Sequence, residues 1–270
     1  MPSLYVVATP IGNLEDISLR AIRVLREVKL IAAEDTRKTK RLLNAYGIKT
    51  PLTSYYEHNK QTKLGYILEK MEEIDVALVS EAGTPAISDP GYELIAAAGE
   101  QGIPVIAIPG PSAIVAALAV SGLPTDRFTF IGFLPRKRGE RRKLLESVAG
   151  ESSSIVLLEA PHRLKAALDD IVFVLGDRRI AVCRQLTKLH EEVFRGTVSR
   201  AQQYFTQPKG EFTLVIEGNK EKLEPKVSVE IKKRMEVMKT SGARAREAIA
   251  LLAEETGLSR KELYRAWLKI

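Results

Sequence analysis

The stretch at 80–91, SEAGTPAISDPG, constrains this chain more than any other. The apolar run Val76, Ala77, Leu78, Val79 leads into it, and the spacing of Leu94, Ile95 and Ala98 predicts a helix over 92–99 behind it. A buried strand, a turn rich in glycine and proline, then a helix is how a parallel sheet presents a ligand beyond the carboxyl ends of its strands. Gly83 and Gly91 suit positive φ or a close approach to a ligand. Pro85 and Pro90 fix φ and remove two N–H donors, which stiffens the loop. Its twelve residues exceed the roughly 2–6 of a plain strand-to-helix connection. Ligand binding, largely through backbone groups, is therefore expected here.

The first half of the chain repeats this pattern. Strands are expected at 4–8, 30–33, 53–56, 75–79 and 103–108. The first ends in the loop Thr9-Pro10-Ile11-Gly12-Asn13, the second in Glu34-Asp35-Thr36-Arg37. Asp16 or Ser18 is placed to cap a helix with Leu19, Ile22, Leu25 and Val28 on its apolar stripe. Further helices are expected at 38–46, 60–72 and 113–120, the last made of small residues. Alternation of this kind predicts a parallel sheet with helices on both faces. The first strand is not followed by G-x-G-x-x-G, and G-x-x-x-x-G-K-[ST] is absent, which excludes a standard dinucleotide fold and a P-loop hydrolase.

The second half reads differently. Strands at 128–133, 155–158, 179–186, 193–198 and 212–216, with short connections, predict a mixed sheet. Pro161 suits a helix's first turn, ahead of a face made by Leu164, Leu168, Ile171, Val172 and Leu175. Beyond 219 a linker is expected at 222–227, then helices at 229–239, 243–255 and 260–268. Ser259 and Glu262 spell a capping box, Gly257 a helix stop, and Leu263, Tyr264 and Trp267 an inward face. This basic bundle is similar to a helix-turn-helix, or serves as a packing module. The expected organisation is α/β over 1–122 and 123–219, with a small helical domain over 220–270.

A chain of 270 residues, 45% hydrophobic, has room for two cores of ordinary size. It carries no apolar run of transmembrane length and no signal-peptide pattern, so a cytoplasmic protein is expected. A lone cysteine, Cys183, rules out an internal disulfide and a cysteine-based zinc site, and with three dispersed histidines no metal site is expected. The formal charge is +7. It is concentrated in 220–270, with 13 basic and 8 acidic residues, and in Arg136-Lys137-Arg138 with Arg141-Arg142-Lys143. Two such clusters suit a polyanion such as RNA, or a solvated surface.

Five motifs then occur in one order: Ala8-Thr9-Pro10-Ile11-Gly12-Asn13-Leu14, Glu34-Asp35-Thr36-Arg37, residues 80–91, residues 108–113 with Gly122-Leu123-Pro124, and Glu159-Ala160-Pro161-His162-Arg163. In this arrangement the chain resembles the tetrapyrrole methylase superfamily, over essentially its whole length. Tetrapyrrole-directed relatives carry Gly-Asp-Pro where this chain has Gly83-Thr84-Pro85, a departure that matches the superfamily's ribosomal RNA branch. The resemblance implies two α/β domains of the class III methyltransferase type, a homodimer, and S-adenosylmethionine bound between the domains. It implies methylation of a cytidine ribose 2′-oxygen in 16S rRNA, at the decoding centre of the 30S subunit, with no part for DNA or a membrane. By position, the donor site takes Pro10, Ala82, Gly83, Ile87, Ser88, Ser112 and Ala113 from the first domain. The second adds Leu158, Glu159, Leu186 and Gly210, although Leu158 and Leu186 also read as core and Gly210 as a hairpin turn. A base for the ribose hydroxyl is sought among Glu34, Asp35, Glu81, Asp89 and His190, with Glu81 or Asp89 expected nearest the oxygen. RNA phosphates are expected at Arg37, Arg136, Lys137, Arg138, Arg141, Arg142, Arg163 and Lys188. The rival readings are a porphyrin or corrinoid methyltransferase, a diphthamide-type enzyme acting on a protein, and an RNA-binding assembly factor without catalysis.

Overall fold

Short strands alternate with helices from the start of the chain, in a computed structural model that describes residues 2–220 and 227–270. The linker expected over 222–227 lies, apart from Val227, outside the described residues. Residues divide into two compact units, Met1–Gly218 and Asn219–Ile270.

The first unit begins with β1 (Leu4–Val7), α1 (Leu19–Glu27), β2 (Leu30–Ala33), α2 (Thr36–Ala45), β3 (Leu52–Ser54), α3 (Lys60–Met71), β4 (Val76–Val79), α4 (Tyr92–Glu100), β5 (Val105–Ile108) and α5 (Ala113–Ser121). The five strands form one parallel sheet in the order β3-β2-β4-β1-β5. Residues of β2 and β4 are buried on both faces, as a sheet covered by helices on each side requires. On one face Val7, Ile31, Ala33, Ala77 and Val79 pack with Ala21, Val24 and Leu25 of α1 and Leu43 of α2. On the other, Leu4, Ala32 and Leu78 meet Ile67 and Met71 of α3 and Leu94 and Ala98 of α4.

Ser18 caps α1, accepting from the Ala21 N–H. Leu19, expected on its apolar stripe, is instead 86% exposed. The buried face starts at Ala21, and Leu19, two residues earlier, points away from it. At the end of α5, Gly122 takes φ +70°, a left-handed conformation that stops the helix.

The unit continues with β6 (Phe128–Phe133), α6 (Arg138–Ser147), β7 (Ser154–Glu159), α7 (Leu164–Leu175), β8 (Arg179–Arg184), β9 (Glu192–Thr197), α8 (Val198–Tyr204) and β10 (Phe212–Ile216). These strands make a mixed sheet, β6-β7-β10-β8-β9, with only β6 and β7 parallel. Ile155, Leu157, Val182 and Leu214 face α6, α7 and α8. Val156, Ala181, Cys183 and Val215 face the other way, onto Ala117 and Leu118 of α5. Thus α5, which follows the first sheet in sequence, packs against the second.

Two helices lie where none was expected. Residues 138–147 form α6 rather than an open basic segment, and α8 takes over where the strand was expected to run on to Val198. Thr197 accepts from the Arg200 N–H and starts α8. The strand expected to reach Leu186 ends at Arg184, since Gln185 adopts φ +49° and cannot continue it.

In the second unit, α9 (Val229–Thr240), α10 (Ala245–Thr256) and α11 (Arg260–Trp267) surround Met235, Ala248, Ile249, Leu252, Leu263 and Trp267. The Ser259–Glu262 capping box is formed in both directions, and Gly257 ends α10 at φ +68°. Tyr264, expected inside, is 50% exposed; it neighbours Leu263 in the helix and so falls off the buried stripe. Among the described residues no helix is long and apolar enough to cross a membrane.

Candidate functional site

The loops that leave the first sheet are tied together at its carboxyl edge. Thr9, just past β1, and Gly83, past β4, exchange both backbone hydrogen bonds at 2.9 Å, an isolated antiparallel bridge. Residues 80–91 then fold back tightly, with φ +83° at Gly83, +67° at Ala86, +64° at Ser88 and +149° at Gly91. Ala86 and Ser88 carry side chains in a region that disfavours them, and such strain is held only where the surroundings dictate it. A Cβ at Gly91 would come 3.0 Å from Leu78 and 3.2 Å from Ala86, so the loop closes on itself too tightly for a side chain there.

Across from this wall stand the ends of β7, β8 and β10. The second sheet has strained residues of its own on this side, Gln185 and Thr187 at φ +49° and +68°, which flank Leu186. Gly210 (φ +86°) lets the turn before β10 pass Gln185, where a Cβ would clash. Between the two walls lies a cavity of about 420 Å³, within the range of small-molecule sites.

The cavity brings together most of the expected donor residues: Ala82, Gly83, Ile87, Ser112, Ala113, Leu158, Glu159 and Leu186. Pro10, Ser88 and Gly210 are not on its lining. Pro10 lies between bridged Thr9 and cavity-lining Ile11, and Ser88 Oγ lies 3.3 Å from where Gly132 would carry a Cβ. Sequence reasoning missed Phe133, half exposed past a bulge in β6, Glu211 just before β10, and Phe212 and Thr213 within it. Phe133, Phe212 and Thr213 sit in strands whose apolar pattern reads as core.

Five carboxylates line the cavity: Glu34, Glu81 and Asp89 from the side of the first sheet, and Glu159 and Glu211 from the second. Glu34 Oε2 accepts from the Glu81 backbone N–H at 2.9 Å, which pins the start of the loop to the end of β2. Glu81's own carboxylate pairs with Lys38. Among the described residues no ion pair engages Asp89. Burial, then the negative charge of Glu34, push its pKa up to about 7, with Ser80 opposing and Glu81 adding to the rise. Of the other base candidates, Asp35 caps α2, accepting from the Lys38 and Arg37 N–H groups, which hold its carboxyl below the usual range. His190 is exposed and off the lining. Cys183 is on the lining but buried, and burial pushes its thiol up to about 11, which removes it as a nucleophile.

Glu159 is the other polar group of note. Its Oε1 accepts from the Ala160 N–H at 2.9 Å and pairs with Arg163 Nε at 3.2 Å. Its Oε2 is buried without a hydrogen-bond partner. Leaving a buried acceptor unmet costs about 1–3 kcal/mol. Burial raises the Glu159 pKa, against the Ala160 N–H and the charge of Arg163.

The residues expected to hold RNA phosphates separate. Arg37 is almost fully exposed, and Arg136 and Lys137 are exposed. Arg138, Arg141 and Arg142 converge on Asp170, whose side chain is 1% exposed, and Arg141 is itself buried. Asp170 thus holds Arg141 inside the fold and Arg142 at a partly exposed position. Arg163 is held by Glu159 and the Leu134 carbonyl, and Lys188 by Glu211 at 2.8 Å.

Comparison with known proteins bears on this geometry. The family model for tetrapyrrole (corrin/porphyrin) methylases matches residues 3–202. Ribosomal RNA small subunit methyltransferase I of Halalkalibacterium halodurans is 48% identical over 98% of this chain and 94% of its own length. The protein of that name from Synechocystis is 49% identical over 100% and 99%. The one from Thermotoga maritima is 50% identical over 81% of this chain and 99% of its own. Among solved structures, diphthine synthase superposes with a TM-score of 0.62 at 14% identity, covering 80% of this chain and 90% of that one. Uroporphyrin-III-C-methyltransferase of Thermus thermophilus gives 0.56 at 21%, covering 80% and 94%. At these identities the two structures speak for the fold alone. With the family model covering residues 3–202 and near-full-length relatives sharing almost half of its residues, this chain belongs to the tetrapyrrole methylase family, in the branch of ribosomal RNA small subunit methyltransferase I.

Proposed function

We propose that the protein transfers a methyl group from S-adenosylmethionine to the ribose 2′-oxygen of a cytidine in 16S rRNA, at the decoding centre of the 30S subunit. It would act as a homodimer in the cytoplasm. The observation that carries the chemistry is Asp89: a carboxylate engaged by no ion pair among the described residues, on the lining of a cavity of about 420 Å³, with a pKa near neutrality.

The cavity suits such a donor. The unpartnered Glu159 Oε2 offers an acceptor for an amino or ammonium group, and Ile11, Ile87, Leu158 and Leu186 supply apolar walls. S-adenosylmethionine would supply a sulfonium-bound methyl group already activated for in-line displacement. The protein's work is then mainly alignment and exclusion of water. A bridged, strained loop does this well, because its groups are ordered before anything binds. A ribose hydroxyl is a weak nucleophile, and Asp89 takes its proton as the oxygen–carbon bond forms. A base with a pKa near the working pH is close to the optimum for that transfer. Glu81, the other expected base, is bound to Lys38, which leaves Asp89 as the acceptor.

Single-turnover methylation of 30S particles tests this. Asp89→Asn lowers the rate by roughly 10²–10⁴-fold with donor affinity retained in calorimetry, and the parent rate rises with pH through about 7. Parent-like rates for both Asp89→Asn and Glu81→Gln would end the assignment of the base. Label from the donor appearing on uroporphyrinogen or elongation factor 2, and not on 30S or deproteinised 16S rRNA, would end the RNA reading.

A further inference from the structure

We infer that α2 is the track along which the RNA backbone lies beside the target nucleotide, its phosphates held by Arg37, Lys40 and Arg41; this rests on the RNA reading above.

The helix has the sequence TRKTKRLLNA, four cations and no acid. Arg37, Lys38, Lys40 and Arg41 are all exposed. Lys38 is engaged by Glu81, and Arg37 makes only a loose 3.7 Å approach to Asp35. Among the described residues no ion pair engages Lys40 or Arg41. Folding does not ask for this arrangement. A helix N-terminus carries partial positive charge and favours acids in its first turn. Here that turn holds Arg37 and Lys38, with Asp35 at the cap as the sole compensation. Residues that weaken their own helix, and do not pack, serve something outside it.

Position says what that is. Glu34, two residues before α2, lines the cavity, and Lys38 pairs with Glu81, which also lines it. The first turn of α2 therefore stands at the cavity mouth, and the helix runs from there for about 15 Å, at 1.5 Å per residue. A nucleotide delivered to Asp89 carries phosphates on both sides, and they need cations within a few ångströms of that mouth. The basic cluster of α6 does not meet the need as well, because Arg141 and Arg142 are spent on Asp170. Charge complementarity and continuity with the cavity thus favour a polyanionic strand over any neutral partner.

The test measures binding of the full-length protein to 30S particles across a salt series. Lys40→Glu with Arg41→Glu lowers affinity at least about tenfold and reduces the slope of log K against log salt by roughly 1.4–1.8, two phosphates at 0.7–0.9 each. Donor affinity by calorimetry stays at the parent value, which also reports that the variant is folded. The charge-preserving pair Lys40→Arg with Arg41→Lys keeps parent affinity. Unchanged 30S affinity and slope for the glutamate pair would overturn the inference, as would an equal loss in the charge-preserving pair. Failure of the parent itself to bind 30S particles at any salt would instead strike the RNA reading, and this inference with it.

Discussion

Helices α6 and α2 carry four cations each, α6 with two acids among them and α2 with none, and they are opposite in use. In α6, Arg141 and Arg142 reach Asp170 on α7 at 2.6 Å, and the Arg142 guanidinium also lies 3.7 Å over the Phe173 ring. In α2, Lys40 and Arg41 reach solvent. A run of cations is thus structural when a buried acid waits for it elsewhere in the chain, and available when none does. The deciding residue, Asp170, lies 28–32 positions beyond the arginines it binds, so the run itself does not reveal its use.

The largest effect that would break this contrast is on stability. Asp170→Ala leaves a buried Arg141 without its counter-charge, and costs about 3–5 kcal/mol in chemical denaturation; a loss below 1 kcal/mol would make α6 as free as α2. Next comes the second unit, whose 13 basic residues over 220–270 also invite RNA. Truncation after residue 218 is expected to weaken 30S binding by about tenfold while donor affinity holds. The Thermotoga maritima relative, which aligns over 99% of its length but only 81% of this chain, shows that the family tolerates a shorter form. If truncation costs more affinity than the α2 glutamate pair, the second unit and not α2 is the main RNA contact.

Acid and base separate the two aspartates. Arginine hydrogen bonds outweigh burial and hold Asp170 below the usual carboxylate range, so its stabilisation is present above the unfolded pKa and is lost as pH falls through the folded one. Asp89 has the opposite sign. Its raised pKa means the folded state is favoured most below the unfolded value of 3.8 and loses that advantage as pH climbs through about 7. Asp89→Asn should therefore melt higher than the parent at pH 8, with the gap closing toward pH 4, and a gap independent of pH would refute the cause. The smallest effect is at Arg37. Arg37→Gln removes a cation from the first turn of α2 and should stabilise the fold by about 0.3 kcal/mol while weakening RNA binding. Stability lost there would mean that α2, like α6, spends its charges on the fold.

Much of this architecture is legible in the chain. The alternation of apolar runs with capped helices specifies the parallel sheet, and Gly83, Gly91 and their prolines mark the loop that forms one wall of the cavity. Periodicity is less sure at helix starts, as Leu19 shows, and fails where charge dominates composition. Residues 138–147 are helical because Leu145 is buried among α7 residues such as Leu164 and Leu168, one apolar anchor in a segment otherwise full of arginine. The left-handed Ala86 and Ser88 were invisible for a different reason: neither residue type signals positive φ, and only the closed loop imposes it. The far wall is made by strand ends from β6, β7, β8 and β10, a grouping set by sheet pairing over long separations rather than by any local pattern.

The two hydrogen bonds between Thr9 and Gly83 make the segments after β1 and β4 a single mechanical body. Neither can swing open without breaking both of those bonds. Amide exchange at Thr9 and Gly83 should accordingly be slow and matched, two distant stretches of chain breathing with one rhythm.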